Sequence, residues 1–202
     1  MKKIFYLLCC ISLLCSSCNR TSECQKVIEK LQLNENGFCG ISLREEAASI
    51  ASTLGNVDPA NYSHMFSSKL KEIRNFNGVN ALLVASFPCI YLADEECGAW
   101  YYVCAYELML AIPCDEYYNE SLVGKRLELY DAVCEYYRQE FSPILEDKDE
   151  TTTFFHIRVP SKASSLITPN TVVVQQDEEN NCVTILINDN EDSYDEWKSG
   201  EL

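Results

Sequence analysis

The chain has 202 residues and a formal charge of −15, with 31 acidic side chains against 16 basic ones, so it is long enough for one domain with a sizeable core and it repels polyanions. Nucleic acid and anionic lipid headgroups are poor partners for such a surface, whereas a basic protein face suits it. Two histidines, no C-x-x-C pair beyond residue 18, and no glycine-rich phosphate loop, G-x-S-x-G elbow or H-E-x-x-H motif leave no metal or cofactor expected.

Lys2 and Lys3 precede an apolar run, IFYLLCCISLLC (4–15), broken only by Ser12. The run is too short for the roughly 20 residues that cross a bilayer core. It fits the apolar stretch of a secretory signal, followed by the small residues Ser16 and Ser17. Ser16-Ser17-Cys18 resembles the lipobox of bacterial lipoprotein signal peptides. That resemblance implies removal of 1–17, a diacylglyceryl group on the Cys18 sulfur and an acylated new amine, although Cys15 stands where the family carries Leu, Val or Ile. Asn19, rather than Asp, follows the lipidated position. By the same resemblance this implies an outer-membrane lipoprotein of the cell envelope, facing the periplasm. Residues 18–22 would be a short lipidated tether, and loss of Lys2 and Lys3 takes the charge from −15 to −17.

Eight cysteines then remain beyond position 18: Cys24, Cys39, Cys89, Cys97, Cys104, Cys114, Cys134 and Cys182. An even count in an exported chain reads as disulfides of undetermined connectivity, with Cys24–Cys39 and Cys89–Cys97 closest in sequence.

A single globular domain is expected over 23–188, helical over 23–142 and β over 150–188. Ser22 and Gln25 make a capping box ahead of a helix whose apolar face is Cys24, Val27, Ile28 and Leu31. Ser42 and Glu45 make a capping box ahead of a second helix with the stripe Ala47, Ile50, Ala51 and Leu54. Asp58-Pro59 opens a third, with Tyr62, Phe66, Leu70 and Ile73, ended by NFNG. VNALLVASF (79–87) is apolar throughout and undecided between helix and strand.

DEECGAWYYVCAYELMLAI, acidic at its start and apolar all round, reads as a central helix ended by Pro113. Leu127, Tyr130, Cys134, Tyr137 and Phe141 give a seam for another, and together the two predict an antiparallel helical hairpin. From 150 the period becomes two: TTTFFHIRV, TVVVQQ and CVTILIND read as three antiparallel strands. The expected fold is therefore α+β, a bundle-like body of five or six helices followed by a small three-stranded sheet. Residues 189–202 form an acidic tail, and the oxygen-rich 188–199 lacks the glycine and final glutamate of a calcium loop, carrying Ser193 and Ser199 there.

Three functions fit these features. The leading one is a non-catalytic, lipid-anchored periplasmic binding module, most specifically an immunity-type inhibitor of a basic secreted toxin. Its surface would be the hairpin ends and the tyrosines Tyr101, Tyr102, Tyr136 and Tyr137. The second is enzymatic. ECGAWYYV and HIRV resemble the catalytic helix and histidine strand of papain-like cell-wall peptidases of the NlpC type, which implies Cys97 as nucleophile and His156 as base. Asp94, Glu95 and Glu96 would oppose a Cys97 thiolate. The third is an envelope lipoprotein of structural role.

Overall fold

A computed structural model describes residues 22–45, 47–54, 68–87, 89–93, 98–102, 105–160 and 167–188. The signal, Cys18 and the acidic tail lie outside the described residues. Three helices, α1 (Glu23–Leu31), α2 (Ala47–Leu54) and α3 (Arg126–Phe141), accompany eleven strands among them. The strands are β1 (Gly37–Phe38), β2 (Ile41–Ser42), β3 (Ser68–Phe76), β4 (Val79–Phe87), β5 (Cys89–Ala93), β6 (Gly98–Tyr102), β7 (Glu107–Pro113), β8 (Leu145–Lys148), β9 (Thr152–Pro160), β10 (Ile167–Asp177) and β11 (Cys182–Asn188).

Seven of these make one antiparallel sheet in the order β3-β4-β7-β11-β10-β9-β8, while β1-β2 and β5-β6 are two-stranded ribbons. The protein is thus mostly β, and the expected helical body with a small three-stranded sheet is not its fold.

The largest departure falls on 98–102 and 107–112, within the stretch 94–112 where the sequence predicts a central helix ended by Pro113. They form β6 and β7, and β7 lies inside the sheet between β4 and β11. A strand deep in a sheet has neighbours on both faces, so it shows the same unbroken apolar character as a central helix. The aromatic GAWYY prefers the pleated surface. Without a helix there, the helical hairpin disappears, and α3 packs on the sheet instead.

The second departure is β3, read from Leu70 and Ile73 as part of a third helix. NFNG does not end a helix: Asn77 (φ 52°) and Gly78 (φ 89°) are the two central residues of a turn pairing Phe76 with Val79. Asn-Gly with both φ positive is the tight hairpin turn whose twist matches its strands. Residues 58–67 of that expected helix lie outside the described residues.

Where periodicity was clean, the elements stand. The Ser22 side chain caps α1 by accepting from the Gln25 N–H (3.1 Å), and Cys24, Val27, Ile28 and Leu31 are buried. α2 begins at Ala47, and Ser42, expected as its cap, belongs to β2. α3 buries Leu129, Tyr130, Val133, Cys134 and Tyr137, while Leu127 of the expected seam is exposed. The three late strands are β9, β10 and β11, extended by β8 and by β7 on either side.

The core lies between the helices and one face of the sheet, the front. Leu83, Leu110, Ile185, Val174 and Thr153 form one cross-strand row, and Ala85, Leu108, Ile187, Val172 and Phe155 the next; all ten are fully buried. The Tyr137 ring stacks on Phe155 (6.0 Å, 26°), and the Tyr130 hydroxyl meets Thr153 Oγ1 at 2.7 Å. Phe38 packs edge-on against Phe76, and Asn77 Nδ2 donates to the Lys30 carbonyl, fastening β1 and α1 to the β3-β4 hairpin. Gly37 is required here, since a Cβ would run into the Ile41 carbonyl oxygen.

Candidate functional site

The opposite, back face of the sheet is where structure and chemistry part from a simple core. Its middle row is Val84, Met109, Leu186, Val173 and Phe154, apolar across five strands. Val84 is buried and the other four are half-buried. The three helices place their buried side chains in the front cluster.

At one end of this face runs a polar row: Ser86, Glu107, Asn188, Thr171 and His156, adjacent by register. Ser86 Oγ donates to Glu107 Oε1 (3.0 Å), and Thr171 Oγ1 lies 3.2 Å from His156 Nδ1. Asn188 Oδ1 is buried with no partner. Burial pushes the His156 pKa below its ordinary value, and Asp147 pulls it partly back. Ser86 and His156 stand four strand spacings apart, roughly 19 Å, so the row does not assemble a serine–histidine pair.

At the other end the face opens into a cavity of about 480 Å³. Ile73, Leu82, Met109, Ala111 and Pro113 form its apolar wall, and Gln175, Asp177, Asn180, Cys182, Thr184 and Tyr118 its polar side. Two loops make the rim: the β10-β11 turn at 177–182 and the segment after β7 at 114–119. They are zipped together, with the Cys114 N–H donating to the Asn181 carbonyl and Asn181 Nδ2 to the Cys114 carbonyl.

Asn119 is the knot. Its Nδ2 donates to the carbonyls of Asn80 and Pro113 (both 2.8 Å), and its Oδ1 accepts the Asn80 N–H (2.9 Å). The Asp177 carboxylate caps its own turn by accepting from the backbone N–H and side chain of Asn180, bonds that hold it below the usual carboxylate range. Beside the cavity, Tyr117 is 86 % exposed and packs edge-on against Tyr118 (4.8 Å, 84°).

The sequence-derived site residues fall elsewhere. Tyr137 is fully buried, and Tyr136, half-buried, donates its hydroxyl to the Leu33 carbonyl (2.6 Å). Tyr101 and Tyr102 are in β6 by backbone, opposite Ile90 and Cys89. Cys97 and Cys104 lie outside the described residues, as does the 189–199 part of the calcium-like stretch. Cys24, Cys39, Cys114, Cys134 and Cys182 are unbridged thiols. Cys39 Sγ sits on the Leu31 carbonyl (3.1 Å), not on Cys24. Burial raises the pKa of all five, and takes Cys24, Cys39 and Cys114 to about 11, so these sulfurs are protonated at neutral pH and are poor nucleophiles.

Among the described residues no group of three or more His, Cys, Asp or Glu side chains converges to hold a metal. Tyr117, Tyr118, Asn119 and Asp177 were missed by sequence reasoning. The available signal was CDEYYNE, two adjacent tyrosines among acids between an apolar run and a helix.

The site defines a class no finer than a mostly-β domain whose sheet is covered by helices on its front face and offers a recessed surface on its back. Neither protein families, curated proteins nor solved structures give a match to this chain.

Proposed function

We propose that this protein is a non-catalytic binding module of the cell envelope. It is held by lipid on Cys18 at the periplasmic face of the outer membrane and works as an immunity-type inhibitor of a basic secreted toxin. The observation that carries the binding reading is the cavity: a preformed recess with an apolar wall, a few polar groups and a rim braced by Asn119 and Asn181. Such recesses with fixed polar groups are the usual form of a recognition site, and bracing lowers the ordering cost of binding. The full-chain charge of −15, which becomes −17 on loss of Lys2 and Lys3, adds electrostatic steering toward a cationic partner. The anchor reading rests on the lipobox resemblance of residues 16–18.

Two measurements test it. Mass spectrometry of the protein from its native host is expected to find residues 1–17 removed and Cys18 acylated; an intact N-terminus overturns the anchor. Co-expression with toxin genes lying beside its own is expected to protect the host, and killing that continues in its presence overturns the inhibitor role.

A further inference from the structure

We infer that the cavity at the 113–119 end of the sheet is the anchor pocket for one apolar side chain of the partner, flanked in the partner's sequence by lysine or arginine. This deepens the binding-module reading and rests on it.

The apolar demand comes from the wall. Ile73 is 53 % exposed at the mouth, an unusual position for isoleucine. Leu82, Met109 and Ala111 continue the surface inward across β4 and β7. A volume of about 480 Å³ accommodates a whole aromatic side chain with its neighbouring backbone. Burying such a ring is the largest single contribution a side chain makes at an interface. Tyr117 and Tyr118 add an aromatic edge at the entrance, a further feature of contact centres.

The cationic demand comes from the rim. The two rim loops carry Asp115, Glu116, Asp177, Glu178 and Glu179. Arg126 lies on this side, its Nη2 already held by Glu178 Oε1 at 2.9 Å, and Lys71 stands two residues from Ile73 along β3. Asp177 lines the recess and the other four acids stand on the same two loops, so an acidic edge borders an apolar floor. An acidic or purely polar segment is repelled there or leaves the floor unfilled. A segment reading basic–aromatic–basic satisfies both, because each cation stays at the wet rim while the ring is desolvated.

The test uses the mature chain and three acetylated, amidated peptides: Gly-Lys-Phe-Lys-Gly, Gly-Lys-Ala-Lys-Gly and Gly-Glu-Phe-Glu-Gly. Binding is followed by amide chemical shifts. The Lys-Phe-Lys peptide is expected to move the amides of Leu82, Ala111 and Thr184 on saturation. The other two peptides are expected to bind at least about tenfold more weakly, the loss that follows from removing a buried ring or reversing the rim contacts. Ala111→Trp, which fills the recess, is expected to weaken the Lys-Phe-Lys peptide by a similar factor. Glu116→Gln with Glu179→Gln, both exposed and harmless to folding, is expected to weaken it several-fold and to flatten its salt dependence.

Equal binding of Lys-Ala-Lys, shifts centred elsewhere, or an Ala111→Trp variant that folds and binds unchanged would each overturn the pocket. A partner captured through another surface leaves the binding-module reading intact while removing the pocket. Pocket binding of the peptide in a protein that protects against no toxin removes the inhibitor role alone.

Discussion

Leu110 and Met109 are neighbours in β7, yet they belong to two different economies. Leu110 points to the front, is fully buried, and sits in a row of five buried residues under α3. Met109 points to the back, is half-buried, and forms part of the cavity wall. One face of the sheet holds the fold together; the other is apolar without being sealed by the described helices. Apolar surface kept off the core in this way is more often a contact surface than an accident of packing.

The strongest way to break this comparison is to truncate matched residues on each face and compare denaturant midpoints. Tyr137→Ala, which removes the ring stacked on Phe155, is expected to cost about 3–5 kcal/mol, and Leu110→Ala about 2–5 kcal/mol. Met109→Ala, one residue away, is expected to cost about 1 kcal/mol, in line with an ordinary half-exposed site. If Met109→Ala costs as much as Leu110→Ala, the back face is a second core and the recess is no binding surface.

The next effect sharpens the comparison at the rim. Asn119→Ala breaks three hydrogen bonds at once and leaves the Asn80 N–H and two carbonyls to find other partners. A loss of about 2 kcal/mol is expected, since each unsatisfied buried group costs about 1–3 kcal/mol and water recovers part of it. Hydrogen exchange should show faster opening confined to 113–119 and 177–182, with the front rows still protected. Uniform loss of protection across the sheet would mean that the rim is no separate unit.

These two faces also explain what could be read from the sequence. α1, α3 and the late strands were legible because each has one fully buried face and one more exposed, which prints a period: Leu129, Tyr130, Val133 and Tyr137 in α3, or Val183, Ile185 and Ile187 in β11. β4 and β7 are apolar on both sides, Leu82 and Val84 behind, Leu83 and Ala85 in front, so their period vanished: β4 stays undecided from sequence and β7 reads as helix. The Asn77-Gly78 turn was the overlooked local clue, and reading it as a hairpin would have made β3 and β4 strands. The cavity was not legible at all. Its wall is drawn from β3, β4 and β7 and its polar side from β10 and β11, residues that only the sheet order brings together.

A smaller effect separates the polar end of the back face from the front. His156 has its folded pKa lowered by burial, so above the ordinary histidine value of about 6.5 it contributes nothing to the pH dependence. As pH falls through that value the unfolded chain takes the proton first, and stability drops until pH passes the lowered folded pKa, below which the loss is constant. His156→Gln is expected to flatten the stability profile across that window. A profile with an unchanged slope between pH 7 and 5 would show that the imidazole is as well hydrated as in the unfolded chain.

The smallest effect concerns the sheet edge at β8. Glu146 and Lys148 lie opposite Phe155 and Thr153, so both charges fall on the front-facing side of an edge strand four residues long. Arg138 grips Glu146 through Nε and Nη2 (3.0 and 2.6 Å), and its guanidinium holds that carboxyl below the usual range. The arginine is 41 % exposed and the pair is screened, so Glu146→Gln is expected to cost less than about 1 kcal/mol, less still in high salt. That stabilisation is present above the ordinary glutamate range and fades as pH falls through the lowered value.

The pair contributes more through what it prevents. A short edge strand with inward charges resists pairing with a second sheet. Replacing both Glu146 and Lys148 by valine is therefore expected to leave the denaturant midpoint within about 1 kcal/mol of the parent. The same double variant should nevertheless self-associate in sedimentation at concentrations where the parent is monodisperse. A double variant that sediments like the parent would mean that β8 is guarded by its length and twist, with the charges serving only Arg138.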